Sequence, residues 1–270
     1  MSNFRDKFKS ISEKNQSYLC VGLDVNLDKF PESLKNENDS IFLFNKAIID
    51  ATKDLVCAYK PNFAFYFAYG LKGLESLKRT IEYIPDEIPV ILDIKSNDIG
   101  NTAKMYATGI FNEMNADATT INPYMGEDSV LPFLSRTEKY VFALCLTSNP
   151  GSQDFQYLKS DGKTLYVNVM NKLSKWNHES NGNLGVVVGA THAEELRELR
   201  ELGDDMIFLI PGIGSQGGDV EKVVKNAKIN QGLGIINVSR KVIFASSEDD
   251  FARKARESAL NYRNMINSYI

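Results

Sequence analysis

Short apolar runs rich in β-branched residues alternate with longer stretches of helical period along the whole chain, the pattern of parallel strands covered by helices. The apolar runs predict strands at about 18–24, 56–61, 90–95, 118–122, 141–147, 184–189, 206–211 and 234–238. Between and after them, helices are predicted at roughly 40–54, 66–83, 101–115, 128–134, 163–177, 193–202, 219–226 and 248–268. Eight strand–helix units point to an α/β fold of the (β/α)8 TIM-barrel type, with eight parallel strands inside and helices outside. The 270 residues suit one such domain, 1–270. An open doubly wound sheet is the alternative; it needs a topological switch point and usually has fewer strands.

Two connections that follow strands are long, 26–39 and 148–162, on the face where such barrels carry active-site loops. The Gly, Ser and Asn residues at 180–185 read as an exposed, tolerated insertion rather than a domain boundary. The polar opening MSNFRDKFKSISEKNQ lacks the apolar core of a signal peptide, and no segment reaches 18 unbroken apolar residues. The expectation is a cytoplasmic protein with no membrane partner.

Composition narrows the field of functions. With 43% apolar and 24% charged residues the chain matches a soluble globular protein. A net charge of −4, with no cluster of Lys and Arg, gives no footprint for nucleic acid, so any phosphate recognition must be local. Cys20, Cys57 and Cys145 lie in apolar runs without a CxxC pair and read as buried reduced thiols. With only His178 and His192 as imidazoles, no transition-metal site is expected.

The sharpest chemistry is in PVILDIKSNDIGNT, where an apolar strand closes on Asp93, Lys95 and Asp98. Residues two apart on a strand share a face, so Asp93 and Lys95 are expected to point together into the barrel mouth, as Ile91 does one step earlier. Asp98 follows the turn into a loop and is free to reach another surface, including another subunit. A surface ion-pair cluster is the plainer reading, since exposed pairs are common and contribute little. Against it, other strands also end in polar groups: GLD at Asp24, YKPN with Lys60 and LTSN with Ser148. In a closed barrel these ends form one ring around a pocket. A second cluster, PGIGSQGGD at 211–219, offers backbone N–H groups beside a helix start after the seventh strand. The eighth strand ends in NVSR, placing the Arg240 guanidinium beside that loop for bidentate contact with phosphate. The Gly-x-Gly at 212–214 lacks the spacing and position of a dinucleotide fingerprint.

These residues resemble the orotidine 5′-phosphate decarboxylase family, whose DxKxxD motif with a following Thr is matched by Asp93, Lys95, Asp98 and Thr102. VGLD, YKPN, TSNPG, PGIGSQGGD and NVSR occur in the family's order, and TSNPG and the chain length are similar to its longer bacterial branch. The resemblance implies an alternating array of Lys60, Asp93, Lys95 and Asp98, the last contributed across a homodimer interface so that the active site is shared. It also implies contacts of Asp24 and Thr102 with the ribose, Ser148 with the pyrimidine, and Gln216 and Arg240 with the phosphate. The implied reaction, in de novo pyrimidine biosynthesis, is cofactor-independent. Loss of CO2 leaves a carbanion at C6 with no ordinary electron sink, and Lys95, kept as an ammonium by two carboxylates, is expected to stabilise and protonate it. Asp93 is expected to stand near the departing carboxylate. The rival within the same fold is a Mg2+-dependent sugar-phosphate decarboxylase or synthase, because DxKxxD occurs there too. The rival of another class is a catalytically silent nucleotide-binding protein that keeps only the phosphate cradle.

Overall fold

All eight apolar runs form strands in the computed structural model, which describes residues 3–35, 37–214, 219–228, 231–232 and 234–270. In chain order the barrel strands are Leu19–Gly22, Ala58–Lys60, Ile91–Ser96, Ala118–Ile121, Tyr140–Leu146, Leu184–Val188, Phe208–Pro211 and Gly234–Val238. Every pairing between them is parallel, in the order second, first, eighth, seventh, sixth, fifth, fourth, third. Bridges Tyr59↔Val90 and Asn62↔Asp93 join the second strand to the third and close the ring. The Asp93 N–H donates to the Pro61 carbonyl at 2.9 Å across that seam. An open sheet is thereby excluded.

The strands are apolar on both faces because both faces are covered, as parallel sheets require. Leu92, Val141, Val186, Phe208 and Ile236 pack outward into the layer shared with the helices. Ile91, Ala118, Phe142, Leu209 and Ile235 belong to a separate inner cluster. The helix Ala193–Leu202 shows how the outer layer forms. Leu196, Leu199 and Arg200 share its buried stripe, while Glu194 and Glu195 occupy the first turn, where carboxylates suit the positive end of the helix dipole.

Two predicted helices are interrupted. The segment predicted as 66–83 divides into Phe63–Phe67 and Gly70–Tyr83, because the chain takes a left-handed conformation at Gly70, with φ of 65°. The segment 101–115 is α-helical over Gly100–Thr108 and widens to a π turn at Gly109–Glu113. The connection 148–162 holds a 3-10 turn at Pro150–Asp154 and the start of a small hairpin, Lys159–Ser160 with Lys163–Thr164. All three cysteines are free and buried, and burial pushes the Cys20 thiol up to about 12.

The polar opening hides a further helix, Phe4–Asn15, absent from the sequence reading. Phe4, Phe8 and Ile11 recur at helical spacing and are buried. Arg5 donates to the carbonyls of Gly182 and Asp205, and Lys7 pairs with Asp117 at 2.7 Å. Those partners precede the sixth, seventh and fourth strands, so the helix plugs the barrel at the end opposite the strand C-termini. Phe4 stacks on Tyr140 at 4.9 Å and meets Phe142 edge-on at 5.9 Å. Phe4→Ala is expected to lower stability by about 3–5 kcal/mol in urea denaturation, the range for emptying a buried aromatic site. Turnover at a permissive temperature should be unaffected, because the plug lies at the far end from the pocket.

Candidate active site

At the C-terminal ends of the strands lies a pocket of about 440 Å³. Its wall includes Asp24 from beyond the first strand, Lys60 from the second, Asp93 and Lys95 from the third, Ser148 from beyond the fifth and Arg240 from beyond the eighth. The structure therefore brings together six of the nine site residues predicted from the sequence. Gln216 lies outside the described residues.

Asp93 is the hub. Lys60 Nζ donates to its Oδ2 at 2.9 Å and Lys95 Nζ to its Oδ1 at 2.6 Å, while Thr120 Oγ1 donates to Oδ1 at 2.8 Å. Asn62 Nδ2 adds a longer contact to Oδ2 at 3.3 Å. Burial alone pushes a carboxyl up, but the two ammonium groups win and hold Asp93 well below the usual carboxylate range. Burial likewise pulls Lys60 down, and the nearby charges of Asp93 and Asp24 more than offset it, leaving Lys60 above the ordinary lysine value. Lys60 and Asp93 thus form a buried, fully charged pair. Lys95 differs, since its side chain is 44% exposed and presents its ammonium to the pocket.

Simple strand alternation does not account for the placement of Lys95. Leu92 pairs with Thr119 and Ser96 with Ile121, so Asp93, Ile94 and Lys95 stand opposite Thr120 alone. Lys95 takes a left-handed backbone, with φ of 52°, a conformation that costs a non-glycine residue on the order of 1 kcal/mol or more. Thr120 Oγ1 fixes this bulge by accepting from the N–H groups of Ile94 and Lys95 at 3.1 and 3.0 Å. The same hydroxyl orients Asp93. The expected common direction of Asp93 and Lys95 is observed, but a bulge produces it.

The pocket also holds unspent acceptors. Asp24 Oδ1 and Asn237 Oδ1 are buried without a hydrogen-bond partner among the described residues. A buried acceptor left unpaired costs free energy comparable to a lost hydrogen bond, so both are suited to accept from hydroxyl groups of a ligand. Neither Asn62 nor Asn237 was singled out in the sequence, although both lie in its quoted strand-end motifs YKPN and NVSR. Thr120 carried no such signal, because its role depends on the neighbouring strand. After the neighbouring seventh strand, Gly212 and Ile213 line the pocket beside Arg240, which opens the short helix Arg240–Ile243. Gly212 has a φ of 109°, which a side chain would oppose.

Asp98 and Thr102 are not among the residues that line this pocket. Asp98 Oδ1 accepts from the Ile99 N–H at 2.8 Å, in the connection leading to helix Gly100–Thr108. Thr102 lies in an apolar groove with Ile94, Met105 and Tyr106. Met105 in that groove is 68% exposed, and Ile99, just before the helix, is 51% exposed. The chemistry of the pocket itself is a pair of cations around one anion, with acceptors for hydroxyls and a guanidinium contributed by the neighbouring first and eighth strands.

Comparison with known proteins agrees with this geometry. Residues 17–255 match the model of the orotidine 5′-phosphate decarboxylase / HUMPS family. Orotidine 5′-phosphate decarboxylase of Herpetosiphon aurantiacus is 48% identical over 258 residues, covering 95% of each chain. The enzyme of the same name from Christiangramia forsetii is 49% identical over 259 residues, 94% of each chain. Among solved structures, OMP decarboxylase of Leishmania donovani superposes with a TM-score of 0.85 at 35% identity, over 100% of this chain and 98% of that one.

Proposed function

Because the chain belongs to the orotidine 5′-phosphate decarboxylase / HUMPS family, we propose that it converts orotidine 5′-phosphate to uridine 5′-phosphate and CO2, with Lys95 as the cation and proton donor at C6. The observation that carries this reading is the Lys60–Asp93–Lys95 array, with contacts of 2.9 and 2.6 Å at the mouth of the barrel. The C6–carboxylate bond breaks, its electron pair stays on C6 and CO2 departs. Lys95 stabilises that charge and delivers a proton to C6, to be reprotonated from solvent. Lys60 keeps Asp93 ionised, and Asp93 in turn fixes the Lys95 ammonium without letting it turn away. Positioning and charge placement of this kind act in the transition state, where they raise the rate of the chemical step.

Asp24 accepts from the ribose hydroxyls, Ser148 meets the pyrimidine, and Arg240 with Gln216 holds the phosphate. Asp98 and Thr102, outside the pocket of their own protomer, reach the pocket of a second copy in this scheme. The exposed apolar side chains Ile99, Met105 and Tyr106 around Thr102 supply a face for a homodimer. The proposed active unit is a cytoplasmic homodimer with two shared sites. No described helix is long and apolar enough to cross a membrane. The proposed place of the enzyme is the last step of de novo pyrimidine nucleotide synthesis.

The sugar-phosphate alternative depends on Mg2+ and the decarboxylation proposed here does not. Purified protein is expected to deplete the absorbance of orotidine 5′-phosphate at an unchanged rate in excess chelator. Loss of turnover on chelation, restored by Mg2+, would favour the sugar-phosphate reading instead. A protein that binds nucleotide and turns over neither substrate would be the silent binder.

A further inference from the structure

Tyr157, His192 and Glu195 form a side-chain cluster behind the pocket wall, and it touches the segment that carries Ser148. The N–H of Thr147 donates to Gln156 Oε1 at 2.8 Å, and Gln156 Nε2 donates to Thr147 Oγ1 at 2.8 Å. His192 Nε2 stands 2.9 Å from the Thr147 carbonyl oxygen. The adjacent end of the sixth strand backs Ser148 so closely that a Cβ on Gly189 would lie 2.7 Å from the Ser148 Cβ. What grips Thr147 therefore acts on the residue bonded to Ser148, alongside the packing of Gly189 against Ser148 itself.

Counting protons defines that grip. A carbonyl oxygen only accepts, so His192 Nε2 must carry a proton. His192 Nδ1 is 3.1 Å from the Tyr157 hydroxyl, which also lies 2.8 Å from Glu195 Oε1. Burial and Glu195 push the Tyr157 hydroxyl well above the usual range, so it keeps its single proton. If that proton goes to the Glu195 carboxylate, Nδ1 must be a donor too, and the ring is an imidazolium. With the ring neutral, His192 and Glu195 compete for one proton and one contact lapses. The groups facing the ring are Glu195 on its own helix and Tyr157 on the 148–162 connection, with Tyr166 and Glu198 behind them. Among the described residues no Lys or Arg pairs with Glu195 or Glu198 to blunt the effect.

We propose that His192 is a positioning residue that helps to hold Ser148 for the pyrimidine through the Thr147 carbonyl. The inference rests on the proposed decarboxylase reading. It predicts an effect on substrate binding with the chemical step intact, hence on KM more than kcat.

The test compares KM and kcat of wild type, His192→Gln and His192→Leu with orotidine 5′-phosphate under one set of conditions. His192→Leu removes the donor to Thr147 and is expected to raise KM about tenfold, with kcat changed less than about twofold. His192→Gln keeps an N–H for the carbonyl and should recover most of that loss. A wild-type KM in His192→Leu, or a His192→Gln variant no better than His192→Leu, would overturn the inference while leaving the decarboxylase reading intact. An inactive wild type overturns both.

Discussion

Lys95→Ala is expected to lower turnover of orotidine 5′-phosphate by at least roughly 10⁵-fold while the fold survives. At an effective dielectric of about 20, a unit charge about 4 Å from the developing carbanion is worth roughly 4 kcal/mol, close to three powers of ten in rate. Loss of the proton donor adds roughly 10²- to 10⁴-fold. Stability should change little. Lys95 is partly exposed, and Asp93 retains Lys60 at 2.9 Å, Thr120 and Asn62 when the Lys95 ammonium is gone. The removal also relieves a left-handed residue only slightly, since alanine is no better suited to φ of 52° than lysine. Absorbance assays alongside thermal denaturation separate the two effects. A variant with more than a tenth of wild-type rate would remove Lys95 from the chemistry, and one that fails to fold would recast it as structural.

Equal mixing of Lys95→Ala with Asp98→Ala is expected to restore activity that neither variant has alone. In the proposed dimer each pocket takes Lys95 from one chain and Asp98 from the other. A mixed dimer then holds one site with both residues and one with neither. Random reassociation of a symmetric dimer gives half mixed dimers, so about a quarter of all sites should be intact. The physical ground is the position of Asp98 outside the pocket of its own chain, on the same segment as exposed Ile99 and Met105. Subunit exchange followed by rate measurement checks it, with mass measurement confirming that mixed dimers formed. Mixed dimers without recovered activity would place both residues in one protomer's site. Monomers throughout would remove the shared site altogether.

The arrangement joins a buried ion pair to one partly exposed cation. Lys60 and Asp93 are both buried and paired, a geometry in which removal of one partner strands the other charge at a cost of several kcal/mol. The expense is reasonable only where the pair holds something else in place. Here that something is the Lys95 ammonium, whose side chain reaches the pocket from a strained backbone. Thr120 is the economical part of the design, since one hydroxyl both secures the bulge and orients the carboxylate.

The eight strands were legible because each is buried on both faces and therefore nearly continuous in apolar residues. Most helices followed from their stripes. The plug helix Phe4–Asn15 escaped because only Phe4, Phe8 and Ile11 are core-facing in an otherwise polar segment, a spacing that a search for a signal peptide passes over. The break at Gly70 is a backbone event that a run of helix-forming residues conceals.

By itself the sequence determined the residue types at the strand ends and their order, and so which charges and acceptors a closed barrel gathers at one mouth. Tertiary structure alone decided how they meet. Thr120 on the fourth strand is 27 residues from Asp93 and bonds to it because the strands pair there. The bulge that turns Lys95 inward likewise depends on a neighbour distant in the chain. Hydrophobic periodicity records which face of a strand is buried. It does not record the cross-strand contacts that set a side chain's final direction.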